Sequence, residues 1–169
     1  GPLAGMRVIE LAHIMAGPVC GLMLADMGAE VVKVEKIEGG DDTRRSVPPA
    51  LSGESAAYMM MNRGKRGLSL DLKAEEGKLL LRRLLADADV LIENYRAGTM
   101  ERLGLGYETL KGEFPGLIYC ALSGFGRTGP YAERAGFDLV EAGGEGGDGL
   151  AGLGEAVGEG GERTPALCP

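Results

Sequence analysis

The sequence predicts a mainly parallel α/β sheet with helices on both faces, and three observations carry that prediction. Short apolar runs suited to buried strands alternate with segments of helical periodicity along residues 6–122. The opening stretch, residues 6–36, sets two such runs around one helical segment, a β-α-β unit. Glycines and prolines stand mostly in the connections, where turns need them. In such a fold a ligand is received where a strand runs into the following helix.

The first unit has strands over residues 7–11 and 31–35, with a helix beginning near Pro18 and ending at Gly28. Its turn, His13-Ile14-Met15-Ala16-Gly17-Pro18, lacks the G-x-G-x-x-G pattern of dinucleotide sites. Gly17 allows close approach of another group, and Pro18 suits the start of a helix, where no N–H is needed. A polar loop over 37–51 follows, with Asp41 and Asp42 expected to organise it by pairing with Arg44 and Arg45. Residues 55–62 read as a short buried helix and 66–72 as a strand with Leu68, Leu70 and Leu72 on one face. Residues 74–86 form an amphipathic helix, its apolar side drawn from Leu79, Leu80, Leu84 and Leu85. Two short strands, 89–92 and 117–122, complete the sheet.

Composition narrows the function. The net charge is −7, but residues 141–169 hold six acids and one base, which leaves the body nearly balanced. General nucleic-acid binding is disfavoured by that balance and by the absence of Trp. Cys20, Cys120 and Cys168 show no metal-ligand spacing, and His13 is the only histidine, so neither a zinc site nor a His-based nucleophile pair is expected. His13 is read as structural. The chain has no long apolar run, and a cytoplasmic, non-membrane setting is expected. Between Gly143 and Gly161 ten of nineteen residues are glycine, so 141–169 is expected to be an irregular, mobile tail after a domain over 3–140.

The strand-end loops begin at Ala12, Ile37, Asp71, Glu93 and Ser123 and should share one rim. Four basic or polar clusters are expected there: Lys33 to Lys36, Asn62 to Lys73, Glu93 to Arg102, and Ser123 to Pro130. Cations on separate loops suit a ligand with several phosphates, which they grip from different sides.

These pieces, in this order, resemble the N-terminal part of the class III CoA-transferase family, which also includes α-methylacyl-CoA racemases. The matching segments are L-A-G-M-R-V-I-E-L with A-G-P-x-C, L-A-D-M-G-A-E-V-V-K-V-E-K, G-x-D-D-T-R, and N-R-x-K-R-G-L-S-L-D-L-K. They continue with D-V-L-I-E-N-Y-R-A-G, L-G-L-G-Y-E-T-L and S-G-F-G-R-T-G-P-Y-x-x-R-A-G-F-D, and the resemblance covers residues 3–140. It implies a Rossmann-like domain that binds coenzyme A (CoA) or acyl-CoA as substrate, with no permanent cofactor, in an interlocked homodimer. It further implies CoA contacts at Met15, Ala16, Lys36, Leu70, Asp71, Leu72, Lys73, Asn94, Tyr95, Arg96, Arg102, Ala135, Gly136, Phe137 and Asp138. The implied reaction moves CoA between an acyl-CoA and a small carboxylic acid. Relatives of this kind are also expected in mitochondria or peroxisomes.

The family nucleophile is an aspartate roughly 30 residues after the G-F-D turn, where it forms covalent acyl intermediates. No aspartate in this sequence matches it, and Asp148 sits in an unlike Gly-Gly-Asp-Gly setting. The racemase histidine is replaced by Phe137, which favours transfer over racemisation. No catalytic residue is therefore assigned, and the chain alone is expected to be inactive. The alternatives are a non-catalytic CoA- or nucleotide-binding module, a racemase relative, and a dinucleotide-dependent oxidoreductase disfavoured by its first turn.

Overall fold

The protein was analysed as a computed structural model, which describes residues 1–132, Arg134 and the backbone of Glu155–Val157. Six strands form the main sheet: β1 (Arg7–Glu10), β2 (Glu30–Glu35), β5 (Arg66–Ser69), β6 (Val90–Glu93), β7 (Ile118–Ala121) and β8 (Glu155–Val157). Their spatial order is β5-β2-β1-β6-β7-β8, parallel throughout except for the antiparallel β7–β8 pair. The expected α/β architecture is present. Within the glycine-rich tail, β8 pairs Ala156 with Cys120.

Central β1 is sandwiched in register, with Ile9 opposite Val32 on one side and Leu91 on the other. Such strands need apolar residues on both faces, and Val8 and Ile9 serve opposite layers. On one face α1 (Ala16–Asp26) covers Val8, Val31, Val90 and Ile92. The other layer gathers Ile9, Val34, Leu91 and Tyr119 with residues of α3 (Glu75–Leu85), α4 (Thr99–Arg102) and α5 (Tyr107–Glu113). A 3-10 turn (Asp42–Arg45), a hairpin of β3 (Ala50–Leu51) and β4 (Glu54–Ser55), and α2 (Ala56–Asn62) fill the link from β2 to β5.

Three expectations needed correction. The helix after Ser55 is not buried as a whole: Met61 is inside, whereas Met60 is 64% exposed. Ser55 is its cap, the hydroxyl accepting from the Tyr58 N–H. In α3 the buried stripe is Gly77, Leu81 and Leu85, while Leu79 (53% exposed) and Leu80 face outward. At 100° per residue, positions 77, 81 and 85 stack on one side and 79 and 80 turn away from it. The strand predicted over 66–72 ends at Ser69, and its Leu68 is exposed on the sheet edge. Helices α4 and α5 had no counterpart in the sequence reading, although Met100, Leu105 and Leu110 around them are fully buried. No helix among the described residues is long and apolar enough to cross a membrane.

Candidate functional site

The chain leaves β1 toward β2 on one side, and β6 continues to β7 on the other. That reversal is a topological switch point at the carboxyl ends of β1 and β6, the place where sheets of this kind hold ligands in a crevice. The strands reaching this edge end on buried charges: Glu10 on β1, Lys33 and Glu35 on β2, Glu93 on β6. Charges removed from water persist only when paired, and each of these is.

The first turn is clasped from both sides. The Asn94 side chain accepts from the His13 N–H (2.9 Å) and donates to the His13 carbonyl (2.8 Å). Ile14 stands at φ +71°, an unusual conformation for a β-branched residue, and its N–H donates to both oxygens of Asp41 at 3.1 and 3.2 Å. The His13 ring meets Tyr95 edge-on at 4.8 Å. Burial pushes the His13 pKa down, with Asp41 only partly opposing it, which favours the neutral ring. Ile14 and Met15 are exposed, and the Met15 carbonyl accepts from the Val19 N–H to begin α1.

Beneath this turn lies a closed set of four charges. Lys33, 1% exposed, donates to Glu10 (3.0 Å) and to the Ala12 carbonyl (2.8 Å), and pairs with Asp41 at 2.9 Å. Lys65 donates to the Pro18 carbonyl (2.7 Å) and to Asn62 (3.0 Å). Its ammonium lies 2.8 Å from Glu10 Oε2, a charge contact without hydrogen-bond geometry. Burial pushes the Lys65 pKa down, and Glu10 pulls it back only in part. Gly21 packs directly over Glu10, where a Cβ would lie 1.9 Å from Oε2 and would force that paired carboxylate to shift.

Two further carboxylates anchor the loops. Glu35 accepts two hydrogen bonds from Arg44 (both 2.8 Å), one from the Tyr58 hydroxyl (2.7 Å) and one from the Asp41 N–H (2.7 Å). Burial pushes its pKa up, yet Arg44 and these other donors outweigh that and bring it down to about 2. Glu93 accepts from the Tyr95 N–H (2.8 Å) and the Tyr119 hydroxyl (3.1 Å) and is ion-paired with Arg127. Here burial prevails, and the pKa is raised.

Of the residues expected to contact CoA, those after β1, β2, β5 and β6 all stand beyond the carboxyl ends of parallel strands. Met15 and Ala16 open α1, exposed. Lys36 is exposed and pairs with Asp42 at 2.8 Å. Leu70 is buried, its N–H donating to the Glu35 carbonyl, while Asp71 accepts from the Lys73 N–H at 2.9 Å. Leu72 packs against the core and leaves Lys73 exposed. Asn94 has its amide committed to His13, Tyr95 is half-buried, and Arg96 is exposed. Arg102, exposed, donates to Thr99 at 2.9 Å. Ala135, Gly136, Phe137 and Asp138 lie outside the described residues.

Among the described residues Lys73, Arg96 and Arg102 have no carboxylate partner, as is also true of Arg83 on α3, whereas Lys36, Arg44, Arg45, Arg63 and Arg66 are ion-paired. The second basic cluster therefore differs from expectation. Lys65 is internal, Arg63 pairs with Asp26 at the end of α1, and Arg66 pairs with Glu30 at the start of β2. Lys33, read as a rim cation, is buried for the same reason as Lys65: each has an acid to neutralise. Asp41 pairs with Lys33 rather than Arg44, while Asp42 and Arg45 do pair. Single charges inside apolar strand runs, as in Val31-Val32-Lys33-Val34-Glu35, were the available sign of this internal network.

Residues 3–160 match the family described as CoA-transferase family III. The chain belongs to this family. It is 53% identical over 148 residues to a succinate–glutarate CoA-transferase of Agrobacterium fabrum, covering 84% of this chain and 37% of that protein. It is 42% identical over 139 residues to a succinyl-CoA:glutarate CoA-transferase of Homo sapiens, covering 82% and 32%. A CAIB/BAIF family protein from Brucella suis has the same fold, with a TM-score of 0.80 and 52% identity over 84% of this chain and 38% of that one. The chain thus spans about a third of the length of the curated CoA-transferases it matches.

Proposed function

We propose that the carboxyl edge of this sheet binds CoA and its thioesters, as part of a protein that moves CoA from an acyl-CoA to a small carboxylic acid. Succinyl-CoA or a similar dicarboxylic thioester is the proposed donor, in keeping with what the family relatives are named for. The observation that carries the reading is a group of three cations without carboxylate partners, Lys73 on the loop after β5, Arg96 on the loop after β6 and Arg102 at the end of α4, beside the clasped first turn of the same sheet. An anionic ligand laid across this edge meets charge from the β5 and β6 sides and the exposed residues 14–16. Lys36 joins them by exchanging Asp42 for a phosphate.

In a transfer of this kind a carboxylate attacks the thioester carbonyl and expels the CoA thiolate, leaving a mixed anhydride. The thiolate then attacks the anhydride carbonyl that came from the attacking carboxylate, and the donor's acid departs as its carboxylate. No aspartate in this sequence matches the family nucleophile, so the 169-residue chain alone is proposed to hold CoA without transferring it. Calorimetric titration of the folded chain tests the reading, with NAD as the control ligand. CoA is expected to bind and NAD to give no heat. A folded chain that binds neither, or both equally, overturns it.

A further inference from the structure

Asp41 is 3% exposed, so a ligand at the crevice does not reach its carboxylate, yet donors from three separate parts of the fold converge on it. The Ile14 N–H comes from the first turn, the Lys33 ammonium from β2, and the Thr43 N–H (3.0 Å) and hydroxyl (2.8 Å) from the 3-10 turn. Its own N–H donates to Glu35, the carboxylate that anchors Arg44 and Tyr58. The next residue, Asp42, holds Lys36. One buried anion therefore links the turn carrying Met15 and Ala16 to the loop carrying Lys36. Ile14 adds the physical need for such a link, because a β-branched residue at positive φ keeps that conformation only where its surroundings hold it.

We propose that Asp41 is a positioning residue: it locks the first turn and the Lys36 loop in one arrangement, so that contacts from both reach a single CoA molecule together. The proposal rests on the CoA reading above and goes beyond it by assigning the preorganisation to a residue that never touches the ligand.

The test is Asp41→Asn in the full 169-residue chain, with two readouts taken where circular dichroism shows both proteins folded. Asn keeps the shape and one acceptor, but presents an NH2 where the second oxygen faced the Ile14 N–H and Lys33. Hydrogen exchange of the Ile14 amide, measured without ligand, is expected to quicken about tenfold while that of Leu91 is unchanged. CoA affinity is expected to fall about tenfold, a loss that a purely stabilising role would not cause in a folded protein. Unchanged Ile14 exchange overturns the proposal, and so does faster exchange with unchanged CoA affinity. Should Asp41→Asn fail to fold, Thr43→Val removes one donor from the same carboxylate and is read the same way, with effects of roughly threefold. Absence of CoA binding by the unmodified chain counts against the CoA reading instead, and the exchange result still decides whether Asp41 holds the turn.

Discussion

Glu35 shows how one residue's surroundings set a measurable property of the chain. Its carboxyl is nearly buried, and four donors keep it ionised down to a pKa of about 2, against an ordinary value of 4.5. The folded value lies below the unfolded one, so as pH falls the unfolded chain takes up the proton first. The stability from this site is complete above about pH 4.5 and is lost as pH falls toward 2. Arg44 is partly open to solvent, which screens its share and holds the total to roughly 1–3 kcal/mol. Urea unfolding of Glu35→Gln and the unmodified chain across that window measures it. The gap between the two is expected to close toward pH 2, and a constant gap would assign the effect to packing. Little of this was legible beforehand. The letters Lys33, Glu35 and Asp41 were visible as charges near a strand end, but not which way each side chain turns.

At the scale of elements, close approach decides the geometry of the site. Gly77 in α3 sits so near the loop after β5 that a Cβ would lie 1.9 Å from the Asp71 carbonyl oxygen and 2.7 Å from its carbon. Backbone atoms cannot swing aside as a side chain can. Gly77→Ala is therefore expected to lower stability by about 1–3 kcal/mol and to displace residues 70–73. Denaturant melts measure the first effect and CoA titration the second; an unaltered CoA affinity would separate this loop from the binding edge. The existence and order of the strands were legible from their apolar runs. The face of α3 was misjudged because four leucines offered more than one plausible stripe, and the sheet selected the one containing Gly77. Helices α4 and α5 were missed because each is too short to show a period.

Across the whole molecule, what distinguishes the proposed binding edge is the imbalance of charge. Most cations elsewhere on the described surface have an acid beside them, while Lys73, Arg96 and Arg102 do not. The double variant Lys73→Ala/Arg96→Ala is expected to weaken CoA at least tenfold, since each charge-assisted contact to phosphate is worth on the order of 1.5–3 kcal/mol. Arg83→Ala, which removes an exposed cation of α3, serves as the control and should leave the titration unchanged. Added salt should reduce the difference between the double variant and the unmodified chain, because it screens exposed charges most. Equal loss in the control would mean that overall charge, rather than this edge, attracts the ligand.

The amino-acid sequence by itself determined the class of fold, the order of its strands along the chain and the family, because apolar period and ordered motifs are properties of the chain read locally. It also marked the strand-end loops as the rim. Tertiary structure alone decided which charges stay in solvent at that edge and which neutralise one another inside. Lys33 and Lys65 read on paper like Lys36 and Lys73, yet the first two join Glu10 and Asp41 in a buried chain of ion pairs while the others stay in solvent. The physical reason is the energy of burying charge: a lysine enters the interior only where the fold brings an acid to meet it, and those acids come from other strands and loops.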